Sequence, residues 1–238
     1  MFKPALNITD QIADYLAEQI IIGELPGGCR IQEIKLSKSL GVSRGSIREA
    51  LLILERRQLI EVVPRKGAQV NDLNTKDVLE VIDIMASLEI RMFSKLAQSA
   101  EKQAILQEAE VPLSGMEAAA RAADALASVR ERNDYYVAML ARSSRYLVAQ
   151  FESVLPTSQR ILHALMNHAD VDQYDLARYY RALHNALLQG DCTRLGELVS
   201  AFARRAGSLA KDVFSHPPKP RDTVFEFAVV REPEVAVQ

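Results

Sequence analysis

Two arginines one helical turn apart, Arg44 and Arg48, are the side chains of this sequence that best suit contact with nucleic-acid bases. Residues four apart share one face of a helix, so both guanidinium groups lie on the same side. The apolar residues Ile47, Leu51 and Leu54 follow a different face, which is expected to be buried. A guanidinium fork binds O6 and N7 of guanine together. The pair therefore indicates base reading in a major groove, and two solvated helix charges are the plainer alternative.

The elements that must position these arginines form a helix-turn-helix. Helices are predicted over 8–24, about 32–40 and about 44–58, because apolar residues recur there at helical spacing. The tripeptide Gly41-Val42-Ser43 predicts a tight turn between the second and third helices. Ser43 is expected to cap the third helix at its N-terminus. This arrangement makes the third helix project from the body of the domain.

A short hairpin with a basic tip follows the third helix. Strands are predicted over 59–63 and 68–70, and the turn between them contains Arg65, Lys66 and Gly67. The two cations suit contact with phosphate or entry into the neighbouring minor groove. Gly67 allows the backbone to approach DNA closely. Three helices followed by such a hairpin predict a winged helix-turn-helix, whose third helix lies in the major groove.

Charge and composition agree with a soluble protein that carries one basic surface. Residues 35–66 hold eight Lys and Arg against three Asp and Glu, a local excess of +5 in a chain of net charge −2. Such a surplus suits a polyanion partner, although a solvated charged face gives the same count. No apolar run approaches the roughly 20 residues that a membrane helix needs. Two cysteines exclude a disulfide framework, and the cytoplasm is the expected compartment.

Three segments match one known sequence pattern. Residues 20–27 contain a helix end followed by Leu-Pro-Gly, residues 36–55 are LSKSLGVSRGSIREALLILE, and residues 64–70 are the hairpin tip and its second strand. Together they resemble the DNA-binding domain of the GntR family of bacterial transcription regulators, with the pattern L-x-x-x-L-G-V-S-R-x-P-V-R-E-A-L-x-x-L-E. The resemblance implies operator contact by Ser43, Arg44, Ser46, Arg48 and Gly67.

Residues 75–214 are predicted to form an all-helical second domain, because strand signals stop after residue 74. Pro112 and Gly115 predict a break between helices, and one helix is expected over about 116–147. Further helices are predicted over 147–167, 172–190 and from 191 onward. The proline-containing tail, residues 215–238, is expected to be extended or flexible. The fold class is therefore mainly α: a winged helix-turn-helix over residues 1–74, then a helical bundle.

This domain order resembles the FadR-type subgroup of the GntR family. Many of its members hold a divalent metal through an Asp, a His four residues later and two further His. Those positions fall on Asn133, Val137, Tyr180 and Phe202, so the ligands are not retained and no metal cofactor is expected. An arginine that clamps a carboxylate effector in relatives falls on Met85.

Neither a shift in alignment nor the actual histidines restores that metal site. A shift of one residue recovers Asp134 but places Ala138 at the first histidine position. The histidines are expected to be surface or packing residues: His163, His168, His184 and His216.

The same positions predict the character of any cavity in the bundle. Lined by Met85, Asn133, Val137, Tyr180 and Phe202, it would be apolar and aromatic. Such a site favours an uncharged or largely apolar effector, oriented by the Asn133 amide and the Tyr180 hydroxyl. The alternative is that these residues simply fill the core.

The sequence thus predicts a ligand-responsive, DNA-binding transcription regulator that acts as a repressor. The resemblance implies a homodimer built by the helical domains, so that two winged helices bind a short palindrome. A constitutive or architectural DNA-binding protein is the main alternative, and a helical scaffold is another. An enzyme is not expected, since the sequence contains no nucleophile elbow, Walker loop or dinucleotide fingerprint.

Overall fold

The computed structural model describes residues 7–63 and 67–215, which form nine α-helices and three β-strands. The wing-tip residues Arg65 and Lys66, the tail beyond residue 215 and His216 lie outside the described residues. In the part described, no helix combines the length and the apolar character needed to cross a membrane.

The described residues divide into two compact units by their contacts. The first contains residues 7–20 and 24–72, and the second contains residues 21–23 and 73–215. The main boundary thus lies two residues before the one expected from the loss of strand signals. The first unit contains six elements: α1 (Ile8–Ile21), β1 (Arg30–Ile31), α2 (Glu33–Leu40), α3 (Arg44–Arg56), β2 (Ile60–Val63) and β3 (Gly67–Val70).

The three strands form one antiparallel sheet in the order β1-β3-β2. Ile60 lies opposite Val70 in the hairpin, and Arg30 lies opposite Gln69 on the other side of β3. The sequence did not predict β1, because a strand of two residues is too short to show alternation. The hairpin predicted as the wing is present with β1 along its second strand.

The turn between α2 and α3 follows from three local signals. Gly41 ends α2 in the left-handed conformation at φ 65°, and its N–H donates to the Ser37 carbonyl. Ser43 caps α3, its side chain accepting a hydrogen bond from the Ser46 N–H at 3.1 Å. The expected stripe of α3 is buried: Ile47, Leu51 and Leu54. Each such side chain contributes about 1.5–3 kcal/mol by leaving water, which fixes the inner face of α3.

The second unit contains six helices: α4 (Thr75–Ala97), α5 (Lys102–Arg121), α6 (Ala125–Leu140), α7 (Arg145–Met166), α8 (Tyr174–Gln189) and α9 (Cys192–Phe214). Helix α4 packs against α7 and α9, while α5 packs against α6 and α8. Their apolar faces meet in one large core that includes Phe93, Tyr135 and Phe151. The predicted all-helical class is confirmed.

The helix boundaries predicted around residues 112–147 are wrong. Pro112 lies inside α5, where it is buried, and packing holds the helix together across the missing hydrogen bond. Gly115 marks a close approach and not a break, because a Cβ there would lie 2.3 Å from the Glu131 carboxylate. The chain turns instead at Ala123, with φ 53°, and Asp124 caps α6. Asp124 is a residue type that favours a helix N-terminus, but alanine-rich sequence on both sides favours an unbroken helix and hides this signal.

Candidate nucleic-acid interface and interior cavity

The N-terminal end of α3 carries the predicted DNA-contacting residues on an exposed face. Arg44 and Arg48 are both exposed, on the side away from the buried stripe. Ser43 and Ser46 lie at the helix start with their hydroxyl oxygens 2.9 Å apart. Free N–H groups and the helix dipole make such an end attractive to phosphate. The structure therefore brings these four side chains together at the point where a recognition helix contacts DNA.

Arg48 is oriented by a residue that the sequence analysis did not single out. Its Nε donates to Glu33 Oε2 on α2 at 2.8 Å, and its side chain remains 63% exposed. This ion pair leaves the terminal nitrogens of Arg48 directed to solvent. A guanidinium held in this way loses less conformational freedom when it binds a base.

The wing is described only up to its tip. Gly67 begins β3 with φ +86°, a backbone conformation that residues with a side chain rarely adopt. This geometry gives a physical reason for glycine at that position. Contact of Arg65 and Lys66 with phosphate stays a prediction, since both lie outside the described residues.

A cavity of about 50 Å³ lies inside the helical unit, between α4, α6, α7, α8 and α9. The predicted pocket residues Met85, Tyr180 and Phe202 line it. The expectation for Val137 is wrong, because that side chain lies on the surface and is 62% exposed. Asn133 is half-buried and accepts a hydrogen bond from Gln159, so it does not orient a ligand here.

Helix register explains this error. Successive residues of a helix point about 100° apart, so a shift of one residue moves a side chain to another face. Helix α6 turns Arg132 and Tyr136 toward the cavity, each one residue before the aligned positions. These two residues are four apart and therefore share the inner face.

Glu89 of α4 stands at the centre of a buried cluster of phenols. Its Oε1 accepts hydrogen bonds from the hydroxyls of Tyr136 and, at 2.9 Å, Tyr180. Its Oε2 accepts from the Tyr179 hydroxyl at 2.7 Å. Burial, and then the charge of Glu89, raise the pKa of all three phenols well above the usual value. The phenols therefore remain protonated and act as donors to this carboxylate.

Arg132 is the second charged group of the cavity wall. It is buried, and its Nη2 donates to Ser158 Oγ at 3.0 Å. Its guanidinium carbon lies 5.3 Å from the centre of the Tyr136 ring, within cation–π range. Within residues 7–63 and 67–215, Arg132 Nε has no hydrogen-bond partner. The predicted purely apolar and aromatic lining is thus wrong, because a guanidinium and a carboxylate form part of the wall.

A larger cavity of about 330 Å³ adjoins the first one between α7, α8 and α9. The two cavities share four apolar wall residues: Leu162, Leu165, Phe202 and Ala206. The Phe202 ring stacks on Tyr179 with their centres 4.1 Å apart. At the outer wall Arg205 forms an ion pair with Asp175, and Asp170, Asp172 and Asp212 complete an acidic rim.

Potential metal ligands are dispersed in the described part of the chain. Among those residues, no three His, Cys, Asp or Glu side chains come close enough together to hold a metal ion. His184 is buried with its Nε2 3.6 Å from Glu110 Oε2. Burial lowers the pKa of His184, and also that of His163.

The first unit matches a family model. Residues 8–70 fit the model of bacterial regulatory proteins of the gntR family. This match covers the winged helix-turn-helix and does not extend to residues 71–238. The expectation that rested on the residue pattern of the helix-turn-helix and wing is confirmed.

Two bacterial regulators each match about a third of the chain. An uncharacterized HTH-type transcriptional regulator of Bacillus subtilis, YdhC, is 40% identical over 79 residues, which are 33% of this chain and 35% of that protein. The gluconate operon transcriptional repressor of Bacillus licheniformis is 35% identical over 89 residues, 37% of this chain and 36% of the repressor. The chain thus matches about a third of the length of each of these two relatives.

One solved structure extends the likeness to the helical unit. E. coli McbR/YncC matches with a TM-score of 0.72 and 22% identity, covering 87% of this chain and 99% of that one. At this identity the match establishes the fold. The chain thus shares with that structure the fold of a winged helix-turn-helix followed by an all-helical unit.

The buried charges of the helical unit were missed by sequence reasoning, although signals for them exist. Glu89 occupies a position in the apolar stripe of α4, between Met85 and Met92. A carboxylate in such a stripe indicates a buried acid that needs donors. The spacing of Arg132 and Tyr136 on α6 is a weaker signal, because it matters only once the inner face of that helix is known.

Proposed function

We propose that this protein is a ligand-responsive transcription repressor that binds a short palindromic operator as a homodimer. The observation that carries the proposal is the exposed pair Arg44 and Arg48 at the capped start of α3, inside a GntR-family winged helix. Repression is supported by the relative from Bacillus licheniformis that bears the name of a gluconate operon repressor.

In this proposal the first two turns of α3 lie in the major groove. Arg44 and Arg48 donate to guanine edges, and Ser43 and Ser46 donate to the adjoining phosphates. The wing places Gly67 close to the backbone of the duplex. Its tip would add two phosphate contacts through Arg65 and Lys66.

The helical unit would supply both dimerisation and regulation. A C2 dimer presents two recognition helices to two half-sites, which makes the operator a palindrome. A ligand in the helical unit regulates binding if its affinity differs between the free and DNA-bound arrangements. The small inner cavity favours one alternative, a constitutive or architectural DNA-binding protein whose helical unit only dimerises.

Replacing both arginines tests whether the exposed face of α3 reads the operator sequence. Arg44→Ala with Arg48→Ala removes two guanine donors, each worth about 1–3 kcal/mol of discrimination. We expect specific operator affinity to fall at least about thirtyfold at fixed salt, measured by fluorescence anisotropy on a site selected from genomic fragments. Light scattering is expected to show the same dimer for the variant and the original protein.

The matched control removes two exposed arginines of α9, Arg194→Ala with Arg204→Ala, and changes the net charge equally. This control should retain specific binding. Retained specificity in the α3 variant would mean that another surface reads the operator, and loss of specificity in both variants would mean that net charge dominates.

A further inference from the structure

We propose that the inner cavity of the helical unit binds a small monovalent oxyanion, with Arg132 as its principal anion-binding residue and Ser158 as a second donor. The inference rests on the proposed function, because the bound anion would be the effector or part of it. It replaces the expectation of an uncharged or largely apolar ligand.

Arg132 carries a buried hydrogen-bond donor that no described residue satisfies. This guanidinium is 5% exposed and lines the cavity, yet its Nε lacks a hydrogen-bond partner among the residues described. A buried charged donor left unpaired costs at least as much as a lost hydrogen bond, and more than a neutral one. Such a group calls for a partner that the protein itself does not supply: a water, an ion or a ligand. Arg132 Nε is therefore available to an acceptor that enters the cavity.

Glu89, the acid of the same wall, is already hydrogen-bonded to other residues. Its two oxygens accept three phenol hydrogen bonds, from Tyr136, Tyr179 and Tyr180. Glu89 acts on Arg132 through space, without an ion pair between them in the described part of the chain. The three phenol donors offset the charge of Glu89. The polar wall is thus left with a surplus of donors, which suits an acceptor-rich ligand.

Ser158 supplies a second donor beside the guanidinium and so orients a bound ligand. Its oxygen accepts from Arg132 Nη2 at 3.0 Å, so its own hydroxyl proton can donate to a ligand. An oxyanion beside Nε would then receive one bond from the guanidinium and one from the serine. Charge-assisted bonds of this kind are about twice as strong as neutral ones. A neutral amide would fill the same space but accept a weaker bond from the guanidinium, because it carries no negative charge.

The size of the cavity limits the ligand. A volume of about 50 Å³ compares with roughly 10–15 Å³ for one enclosed water. This leaves room for about three to five non-hydrogen atoms. Met85 and Phe202 provide an apolar surface for the part of the ligand that does not reach the guanidinium. Both an inorganic oxyanion such as nitrate and a short carboxylate such as propionate meet these limits.

Thermal unfolding of the full chain with a panel of probes tests the inference. Sodium propionate and sodium nitrate are compared with propionamide, which has the shape of propionate without its charge, and with sodium chloride at equal ionic strength. At saturating ligand we expect at least one oxyanion to raise Tm by about 3 °C or more, with no rise for the amide. Propionate and nitrate separate an organic from an inorganic anion.

Arg132→Gln should abolish the rise in Tm, while Arg130→Gln, an exposed arginine on the same helix, should retain it. Because the buried substitution can unfold the unit, Ser158→Ala is measured beside it and should weaken the apparent Kd about tenfold. An equal rise with propionamide, an unchanged rise in Arg132→Gln or an unchanged Kd in Ser158→Ala would overturn the proposal.

Operator binding without added anion separates this inference from the function on which it rests. Specific binding together with a Tm that no oxyanion changes would overturn the anion site and leave the DNA-binding proposal intact. Absence of specific binding would overturn the proposed function, whatever the melting data show.

Discussion

Arg48 shows how one side chain can combine exposure with order. Its Nε is bound to Glu33 at 2.8 Å while most of the side chain stays in solvent. The exposed pair itself contributes little to stability, because solvent screens it. Its effect lies in limiting the rotamers of Arg48, so that the guanidinium meets the groove in fewer orientations. Glu33 thus belongs to the proposed DNA-reading surface, although its charge repels phosphate.

Glu33→Gln is expected to separate affinity from specificity. The substitution removes a negative charge beside the groove and releases Arg48, so binding to non-specific DNA should strengthen. The ratio of specific to non-specific Kd should fall several-fold, as measured by anisotropy on both duplexes at one salt concentration. Glu152→Gln, which removes an exposed charge from α7, controls for net charge and should leave the ratio unchanged. A ratio that stays constant in Glu33→Gln would show that Arg48 needs no orientation.

At the scale of elements, the α2–α3 turn depends on one glycine conformation. Gly41 has φ 65°, and a Cβ built there meets nothing within 4 Å. Any effect of a side chain at this position therefore comes from the backbone and not from a clash. Left-handed backbone costs a residue with a Cβ about 1–2 kcal/mol.

Two glycine-to-alanine substitutions should change stability in opposite directions. Gly41→Ala should lower the free energy of unfolding by about 1 kcal/mol, because the turn requires positive φ. Gly196→Ala, inside α9 with no neighbour within 4 Å of the built Cβ, should raise it by about 0.5–1 kcal/mol. Urea denaturation followed by circular dichroism gives both values, and hydrogen exchange assigns each change to its unit. Stabilisation by Gly41→Ala would contradict the backbone argument.

At the scale of the whole molecule, the helical unit gathers its ionisable groups from distant parts of the chain. Glu89 is 47, 90 and 91 residues from its phenol partners Tyr136, Tyr179 and Tyr180. Arg132 and Ser158 are 26 residues apart. The chemistry of the interior is therefore a property of the packed helices together, and each helix alone is unremarkable.

The residues of the same interior predict that the purified protein binds little metal. The resemblance to FadR-type regulators puts the metal ligands at positions that hold Asn133, Val137, Tyr180 and Phe202 here, and the inner face of α6 presents the Arg132 guanidinium, which repels a divalent cation. We expect less than a tenth of an equivalent of zinc, nickel or manganese in the purified protein, measured by inductively coupled plasma mass spectrometry. Treatment with EDTA should leave Tm unchanged. Stoichiometric metal that survives dialysis, and a Tm that falls on chelation, would refute this expectation.

The winged helix was predictable because its signals are local. The Gly41 turn, the Ser43 cap and the buried stripe of α3 each depend on residues within a few positions of one another. Such short-range patterns identify the elements, their order and the exposed face with Arg44 and Arg48. β1 escaped prediction because two residues cannot show a period.

The interior of the helical unit was beyond local reasoning, because a rotation of one residue about a helix axis changes which side chain is buried. The resemblance placed Asn133 and Val137 inside, whereas packing of α6 against α5 and α7 turned Arg132 and Tyr136 inward. Pro112 continued a helix because burial outweighed its local preference. Composition and spacing determine that this part of the chain is helical, and the lowest-energy packing of the apolar faces decides where the helices end and which charges they enclose.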